Sequence, residues 1–116
     1  MRILYLEDFE PDASFVRLYM GSTGHEFVDV RSIDEATQIL KTERPDVFLV
    51  DIVIGGDTSY ELIKYAVDAQ AAKHVVAVTA KALPGDQRYC MNLGCTSVIT
   101  KPFTVDELED MLEQLA

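Results

Sequence analysis

Short runs of apolar residues alternate along this chain with stretches in which apolar residues recur every three or four positions. Five runs have the length and composition of strands: Ile3–Leu6, Glu26–Val30, Val47–Val50, Val75–Val78 and Ser97–Thr100. Each run is followed by a stretch with helical periodicity. A strand–helix unit that repeats five times predicts parallel strands, joined by right-handed crossovers, with helices on both faces of one sheet.

Capping residues mark the ends of the predicted helices. Ser32 and Thr104 each precede a glutamate by three positions, as in a capping box, and Pro11 and Pro84 are typical first-turn residues. Gly94 is a predicted C-cap. Five strands in 116 residues fit an open sheet better than an eight-stranded barrel, which needs about 250 residues. We therefore predict an α/β fold, a flavodoxin-like (βα)5 doubly wound parallel sheet with strand order 2-1-3-4-5.

The composition narrows the classes of function. The chain is 48% hydrophobic, which suffices for one core, so residues 1–116 are predicted to form one domain. Ten Lys and Arg residues against twenty Asp and Glu residues give a net charge of −10, which argues against direct nucleic-acid binding. No stretch approaches the roughly 20 apolar residues of a membrane span, and no leader peptide is evident. We expect a cytoplasmic protein in which Cys90 and Cys95 are free, buried or half-buried thiols.

Polar residues end or follow four of the five predicted strands. Glu7 and Asp8 follow the first strand, Asp51 ends the third, Thr79 ends the fourth and Lys101 follows the fifth. In a parallel sheet these positions share the carboxyl edge, where open α/β folds bind ligands. Three carboxylates that converge there require a cation, and their oxygen ligands suit Mg²⁺. Because Lys101 and Thr79 favour an anion in the same place, a phosphoryl group on a carboxylate would satisfy all five residues.

These motifs, in this order, resemble those of the receiver domain of two-component response regulators, and the resemblance covers the whole chain. The motifs are Glu7-Asp8, Leu49-Val50-Asp51-Ile52, Thr79-Ala80 and Lys101-Pro102-Phe103. The resemblance implies that Asp51 is a phospho-acceptor, which takes a phosphoryl group from the phosphohistidine of a histidine kinase or a histidine phosphotransfer protein.

The resemblance also implies roles for the residues around the acceptor. Asp8 would bind Mg²⁺ directly together with Asp51, Glu7 would act through a water molecule, and the backbone carbonyl of Val53 would be a third protein ligand. Lys101 would pair with one phosphoryl oxygen and Thr79 would donate a hydrogen bond to another. The Lys101-Pro102 peptide bond is expected to be cis.

A protein of this kind would be a phosphorylation-controlled binding module and not an enzyme, since it catalyses only its own phosphorylation and dephosphorylation. We expect it to switch a protein-binding surface for a downstream protein that the sequence does not identify, and to be a monomer or a weak dimer. Met1 directly before the first strand suggests a stand-alone regulator. The alternative within the family is the excised receiver of a hybrid histidine kinase.

Several positions depart from the family pattern. Val98 replaces an aromatic residue that commonly changes rotamer on phosphorylation. Gly55-Gly56 replaces a Pro-Gly turn and Ser59 replaces a glycine, so we expect a looser loop and an altered entry into the next helix. Val53 and Lys81 occupy positions that tune dephosphorylation, and neither offers a carboxylate or an amide to orient a water molecule. We therefore predict slow self-hydrolysis.

Other classes of function remain open at this point. A pseudo-receiver would bind partners without phosphorylation. A phosphatase of the haloacid-dehalogenase class also forms an aspartyl phosphate, but it needs an aspartate where this chain has Val53. A flavin site would rest on fold analogy alone, and Glu7-Asp8 would repel its phosphate. His25 and His74 begin strands, so we place them at the opposite end of the sheet from the carboxylates.

Overall fold

The computed structural model describes residues 1–80 and 84–116, and describes residue 84 by its backbone alone. The strands are β1 (Arg2–Leu6), β2 (Glu26–Val30), β3 (Val47–Asp51), β4 (Val53–Ile54), β5 (Asp57–Thr58), β6 (His74–Thr79) and β7 (Ser97–Thr100). The helices are α1 (Glu10–Met20), α2 (Ile33–Thr42), α3 (Tyr60–Asp68), α4 (Pro84–Leu93) and α5 (Val105–Leu115).

Five of these strands form one parallel sheet in the order β2-β1-β3-β6-β7. This is the predicted order, because β4 and β5 pair only with each other. The predicted flavodoxin-like fold is therefore confirmed. β2 lies at an edge, and its exposed and partly buried residues alternate, as its mixed polarity indicated.

The core lies on both faces of the sheet, as a doubly wound fold requires. All five residues of β3 are buried, with Phe48 and Val50 facing one side and Val47 and Leu49 the other. Helices α2, α3 and α4 contribute buried side chains to the first side, and α1 and α5 contribute to the second. Apolar side chains on both faces explain why this strand is an unbroken hydrophobic run.

The predicted caps are present in the structure. The hydroxyls of Ser32 and Thr104 accept hydrogen bonds from the backbone N–H groups of Glu35 and Glu107, each at 3.1 Å. Gly94 follows the last residue of α4 with a φ of 106°, in the region that favours glycine. A Cβ atom at Gly94 would lie 2.5 Å from Cγ1 of Val67, so the close approach of α3 also requires a glycine.

The segment after β3 is a hairpin, where the sequence predicted a looser loop. Gly55 and Gly56 have φ values of 60° and 84°, as in a two-residue turn with two left-handed positions. The turn lets β4 and β5 pair antiparallel, with Val53 opposite Thr58. The two glycines that replace the expected Pro-Gly turn therefore produce a hairpin, here called the 53–58 hairpin.

No helix among the described residues is both long and apolar enough to cross a membrane. Cys90 and Cys95 are free and buried, as expected for two thiols in the core. Burial raises the pKa of the Cys95 thiol to about 12, which favours its unreactive protonated form.

Candidate active site

Three carboxylates meet at the carboxyl edge of the sheet. Glu7 directly follows β1 and Asp51 ends β3, and the two strands are neighbours whose last paired residues are Leu6 and Val50. Glu7, Asp8 and Asp51 each place one carboxylate oxygen within 4.8 Å of the other two. The structure thus brings together the acidic residues that the sequence placed at this edge.

Glu7 is the fully buried member of this cluster. It accepts a hydrogen bond from the Tyr5 hydroxyl at 3.2 Å and another from the Phe9 backbone N–H at 3.3 Å. Burial, and then the neighbouring Asp51 carboxyl, raises the pKa of Glu7 to about 7, although Lys101 opposes the shift. Burial in a place with little water and the nearby Asp51 carboxyl both disfavour the charged form of Glu7.

Lys101 supplies the positive charge of the site. Its Nζ atom lies 2.8 Å from Oδ2 of Asp51 and 3.0 Å from Oδ2 of Asp12, and it also contacts Glu7 Oε1. Burial alone lowers the pKa of Lys101, but hydrogen bonds to these carboxylates outweigh burial and raise it. The ammonium group is therefore charged at neutral pH and joins β7 to β1, β3 and α1. The Lys101-Pro102 peptide bond is cis, as the resemblance implied.

A cleft of about 230 Å³ opens beside the Asp51 carboxylate. Thr79, which is buried at the end of β6, lies on its wall, and its backbone carbonyl accepts a 2.8 Å hydrogen bond from the N–H of Lys101. Tyr60 and Asp86, from the first turns of α3 and α4, also line the cleft. A group bound to Asp51 would therefore face residues of both helices.

Backbone N–H groups of the 53–58 hairpin point at two of the three carboxylates. The N–H of Gly55 donates a 2.8 Å hydrogen bond to Oδ2 of Asp8, and the N–H of Val53 donates a longer one of 3.4 Å to Oδ1 of Asp51. The hairpin therefore connects the acidic residue after β1 to the one that ends β3.

Ser59 lies at the base of this hairpin and is 1% exposed. Its hydroxyl donates to the backbone carbonyl of Asp51 at 2.5 Å and is also 3.2 Å from the carbonyl of Ile52. Its backbone N–H donates to the same Ile52 carbonyl at 2.8 Å. The segment that leaves the sheet after Asp51 is thus closed at its base by one serine.

Sequence reasoning did not identify Asp12, Tyr60 or Asp86 as residues of the site, and it treated Ser59 only as a departure from the family pattern. Asp12 lies in the first turn of α1, four positions after Asp8. This spacing was the sequence signal that could have placed Asp12 near the site. Tyr60 and Asp86 lie in the first turns of their helices, which begin at the same edge of the sheet.

The remaining candidates lie elsewhere or outside the described residues. His74 begins β6, and its Nδ1 lies 3.3 Å from Oγ1 of Thr96, at the amino edge of the sheet. His25 lies just before β2, with its Nδ1 3.0 Å from the N-terminal amino group. Both histidines are therefore at the end opposite the carboxylates, as predicted. Lys81 lies outside the described residues.

The acidic cluster fits a hard divalent cation. Its three carboxylates offer oxygen ligands within 4.8 Å of one another. Mg²⁺ is bound in proteins by one or two carboxylates together with water molecules, which a partly open cleft admits.

The chain is similar in sequence to known proteins. Residues 3–113 match the family model of the response regulator receiver domain. The polar-differentiation response regulator DivK of Brucella ovis is 31% identical over 105 residues, which cover 89% of this chain and 85% of the relative.

Solved structures show the same fold. The chemotaxis response regulator CheY4 of Vibrio cholerae is 22% identical with a TM-score of 0.88, over 99% of this chain and 98% of that one. The receiver domain of a sensor histidine kinase from Pseudomonas aeruginosa is 25% identical with a TM-score of 0.85, over 98% of this chain and 95% of that one. That structure has a magnesium ion coordinated in its active-site cleft.

Proposed function

Because the chain belongs to the family of response regulator receiver domains, we propose that Asp51 accepts a phosphoryl group from a phosphohistidine. The observation that carries the proposal is the position of the Asp51 carboxylate, which lies within 4.8 Å of carboxylate oxygens of Glu7 and Asp8 and 2.8 Å from the ammonium group of Lys101. A nucleophilic carboxylate with a cation beside it is suited to receive a phosphoryl group.

In the transfer, a carboxylate oxygen of Asp51 attacks phosphorus. An O–P bond forms as the P–N bond of the donor breaks, and the histidine nitrogen keeps the electron pair and takes a proton from water. Lys101, 2.8 Å from Asp51 Oδ2, pairs with a phosphoryl oxygen, and the Thr79 hydroxyl donates to another. The protein acts as a regulator and catalyses only this reaction and the later hydrolysis of its own phosphoryl group.

Mg²⁺ would support this reaction, and Asp8, Asp51 and the backbone carbonyl of Val53 would hold it, with Glu7 acting through a water molecule. When bound, it neutralises negative charge on the carboxylates and on the phosphoryl oxygens. The cluster of the three acidic side chains supports this assignment.

The donor is a histidine kinase or a histidine phosphotransfer protein that docks beside Lys101. An apolar rim supports this surface: the rings of Phe15 and Phe103 lie 6.1 Å apart at a cavity of about 540 Å³ that Lys101 and Asp12 also line. Phe15 is 40% exposed and Phe9, at the start of α1, is 56% exposed. Apolar residues exposed next to a reactive group are typical of a protein contact surface.

The output passes through α3 and α4. Val98 has no ring that could change rotamer, whereas Tyr60 in the cleft packs edge-on against Tyr89 of α4, with ring centroids 4.7 Å apart at 85°. Tyr89 is 48% exposed, so this pair extends from the cleft to the surface. Negative charge added at Asp51 also repels the carboxyl group of Asp86 across the cleft, which favours a shift of α4.

We propose that the α4 surface, where Tyr89 is exposed, binds a downstream protein. A pseudo-receiver that binds its partner without phosphorylation is the alternative, and Val98 is the observation that favours it.

The experiment that tests the proposal is intact mass spectrometry after incubation with Mg²⁺ and acetyl phosphate, with Asp51→Asn as the matched control. We expect one phosphoryl adduct on the natural sequence, and none on the variant or without Mg²⁺. A folded protein that forms no adduct would instead support the pseudo-receiver.

A further inference from the structure

The strand pairing of the 53–58 hairpin is by itself a weak constraint on its position. It consists of two paired strands of two residues each, and an isolated two-stranded hairpin has marginal stability in water. Its turn residues, Gly55 and Gly56, are exposed, and a Cβ atom at either would find no atom within 4 Å. Ile54, in the first strand of the hairpin, is buried in the core, so the position of the turn depends on this side chain and on what holds the base of the hairpin.

Ser59 provides a fixed point at that base. The 2.5 Å hydrogen bond from its hydroxyl reaches the backbone carbonyl of Asp51, the last residue of the sheet strand, and the side chain is almost wholly buried. A glycine at this position would keep the backbone hydrogen bond to Ile52 but would lose the hydroxyl. Removing the hydroxyl would leave a buried carbonyl without this donor, which costs free energy.

The hairpin in turn contacts two carboxylates, closely at Asp8 and more weakly at Asp51. The N–H of Gly55 holds Oδ2 of Asp8 at 2.8 Å, and the N–H of Val53 approaches Oδ1 of Asp51. Asp8 is exposed, and without this contact its side chain would have to be ordered when a metal binds. N–H donors also offset the repulsion between neighbouring carboxylates before a cation arrives.

We propose that Ser59 is a positioning residue, which anchors the 53–58 hairpin so that Asp8 and Asp51 are already oriented for Mg²⁺ in the metal-free protein. This inference rests on the proposed function for its metal, but its structural part concerns the metal-free chain alone. Partners that orient metal ligands typically change metal affinity about 10- to 100-fold when they are removed.

The test compares the natural sequence with Ser59→Ala and, in case that variant does not fold, Ser59→Gly. Thr37→Ala is the matched control, because the Thr37 hydroxyl also donates to a backbone carbonyl, at 2.7 Å, but does so in α2. The first measurement is the NMR amide signal of Gly55 in metal-free protein. We expect its proton to move upfield and to exchange faster in the Ser59 variants, and to be unchanged in Thr37→Ala.

The second measurement is the Mg²⁺ dissociation constant from calorimetry. We expect it to rise about tenfold or more in the Ser59 variants and to stay within about twofold of the natural value in Thr37→Ala. The inference would be overturned if the Gly55 signal were the same in the Ser59 variants as in the natural protein. It would also be overturned if the natural protein bound Mg²⁺ and the Ser59 variants bound it with the same affinity. Failure of the natural protein to bind Mg²⁺ would contradict the proposed function instead, and the Gly55 signal would still decide whether Ser59 anchors the hairpin.

Discussion

Lys101 and Asp51 are 50 positions apart in the chain, and their side chains meet at 2.8 Å between Nζ and Oδ2. The contact exists because β7 and β3 lie on either side of β6, so that their carboxyl ends open onto one cleft. Lys101 compensates the charge of two buried carboxylates, Glu7 and Asp51, while its own side chain is 17% exposed.

Replacing Lys101 by methionine would leave these carboxylates without their cation. Removing one partner of a buried ion pair leaves the other charge buried and unpaired. We therefore expect Lys101→Met to lower the free energy of unfolding by about 3 kcal/mol in metal-free buffer. Urea denaturation measures the change. Mg²⁺ should restore part of the loss, since it supplies positive charge to the same oxygens.

The control for this variant is Lys64→Met, because Lys64 forms only an exposed pair with Asp68 in α3. Its effect should not exceed about 0.5 kcal/mol. Equal losses in the two variants would show that the contacts of Lys101 have no special role in stability.

Glu7 should make the stability of the metal-free protein depend on pH. Burial, and then the Asp51 carboxyl, raises its pKa from an ordinary value of 4.5 to about 7 in the folded state. Between these two values the folded protein binds more protons than the unfolded chain, so the free energy of unfolding falls as the pH rises through this window. The contribution of Glu7 is on the order of 3 kcal/mol.

The variant Glu7→Gln isolates this contribution, because its glutamine side chain does not ionise. All other titratable groups are the same in the variant and in the natural protein. We expect its stability, relative to the natural protein, to increase between about pH 5 and about pH 8 in chelator-containing buffer. A constant difference between the two proteins across that range would show that Glu7 ionises normally.

The Tyr60–Tyr89 pair should carry the response of the cleft to the surface of α4. We expect the ring signals of Tyr89 in NMR spectra to shift when Asp51 is phosphorylated. Tyr60→Leu should remove most of that shift when the same fraction of the protein is phosphorylated, because the edge-on ring contact is lost. Tyr65→Leu is the control, since Tyr65 is a partly exposed tyrosine of the same helix. A Tyr89 shift that persists in Tyr60→Leu would exclude this route.

The phosphorylated protein should hydrolyse slowly. Val53 is 51% exposed, lies two residues beyond the acceptor and lines the cleft, but its side chain cannot orient a water molecule. An amide at this position could do so, and we expect Val53→Asn to shorten the lifetime of the phosphoryl adduct several-fold, as followed by intact mass. Decay of the natural adduct within seconds would contradict the prediction.

The sequence predicted the sheet because each central strand is an apolar run that a polar residue ends. Val47–Val50 followed by Asp51 is the clearest example, and strand order then determined that Glu7 and Asp51 would meet. The same logic located Lys101 and Thr79 at the carboxyl edge.

Contacts that depend on tertiary packing could not be predicted in this way. Asp12 reaches Lys101 only because α1 lies beside the segment that follows β7, where Phe15 also packs against Phe103. Tyr60 meets Tyr89 only because α3 and α4 are adjacent. The contact of Ser59 also depends on tertiary structure, because its hydroxyl reaches the Asp51 carbonyl only where the segment after β3 turns back on itself.

The most direct test of the central claim is the intact mass of the protein after incubation with Mg²⁺ and acetyl phosphate, measured beside Asp51→Asn. Our account predicts a single phosphoryl adduct that requires both Mg²⁺ and the Asp51 carboxylate. A folded natural protein without an adduct, or an adduct that persists in Asp51→Asn, would contradict it.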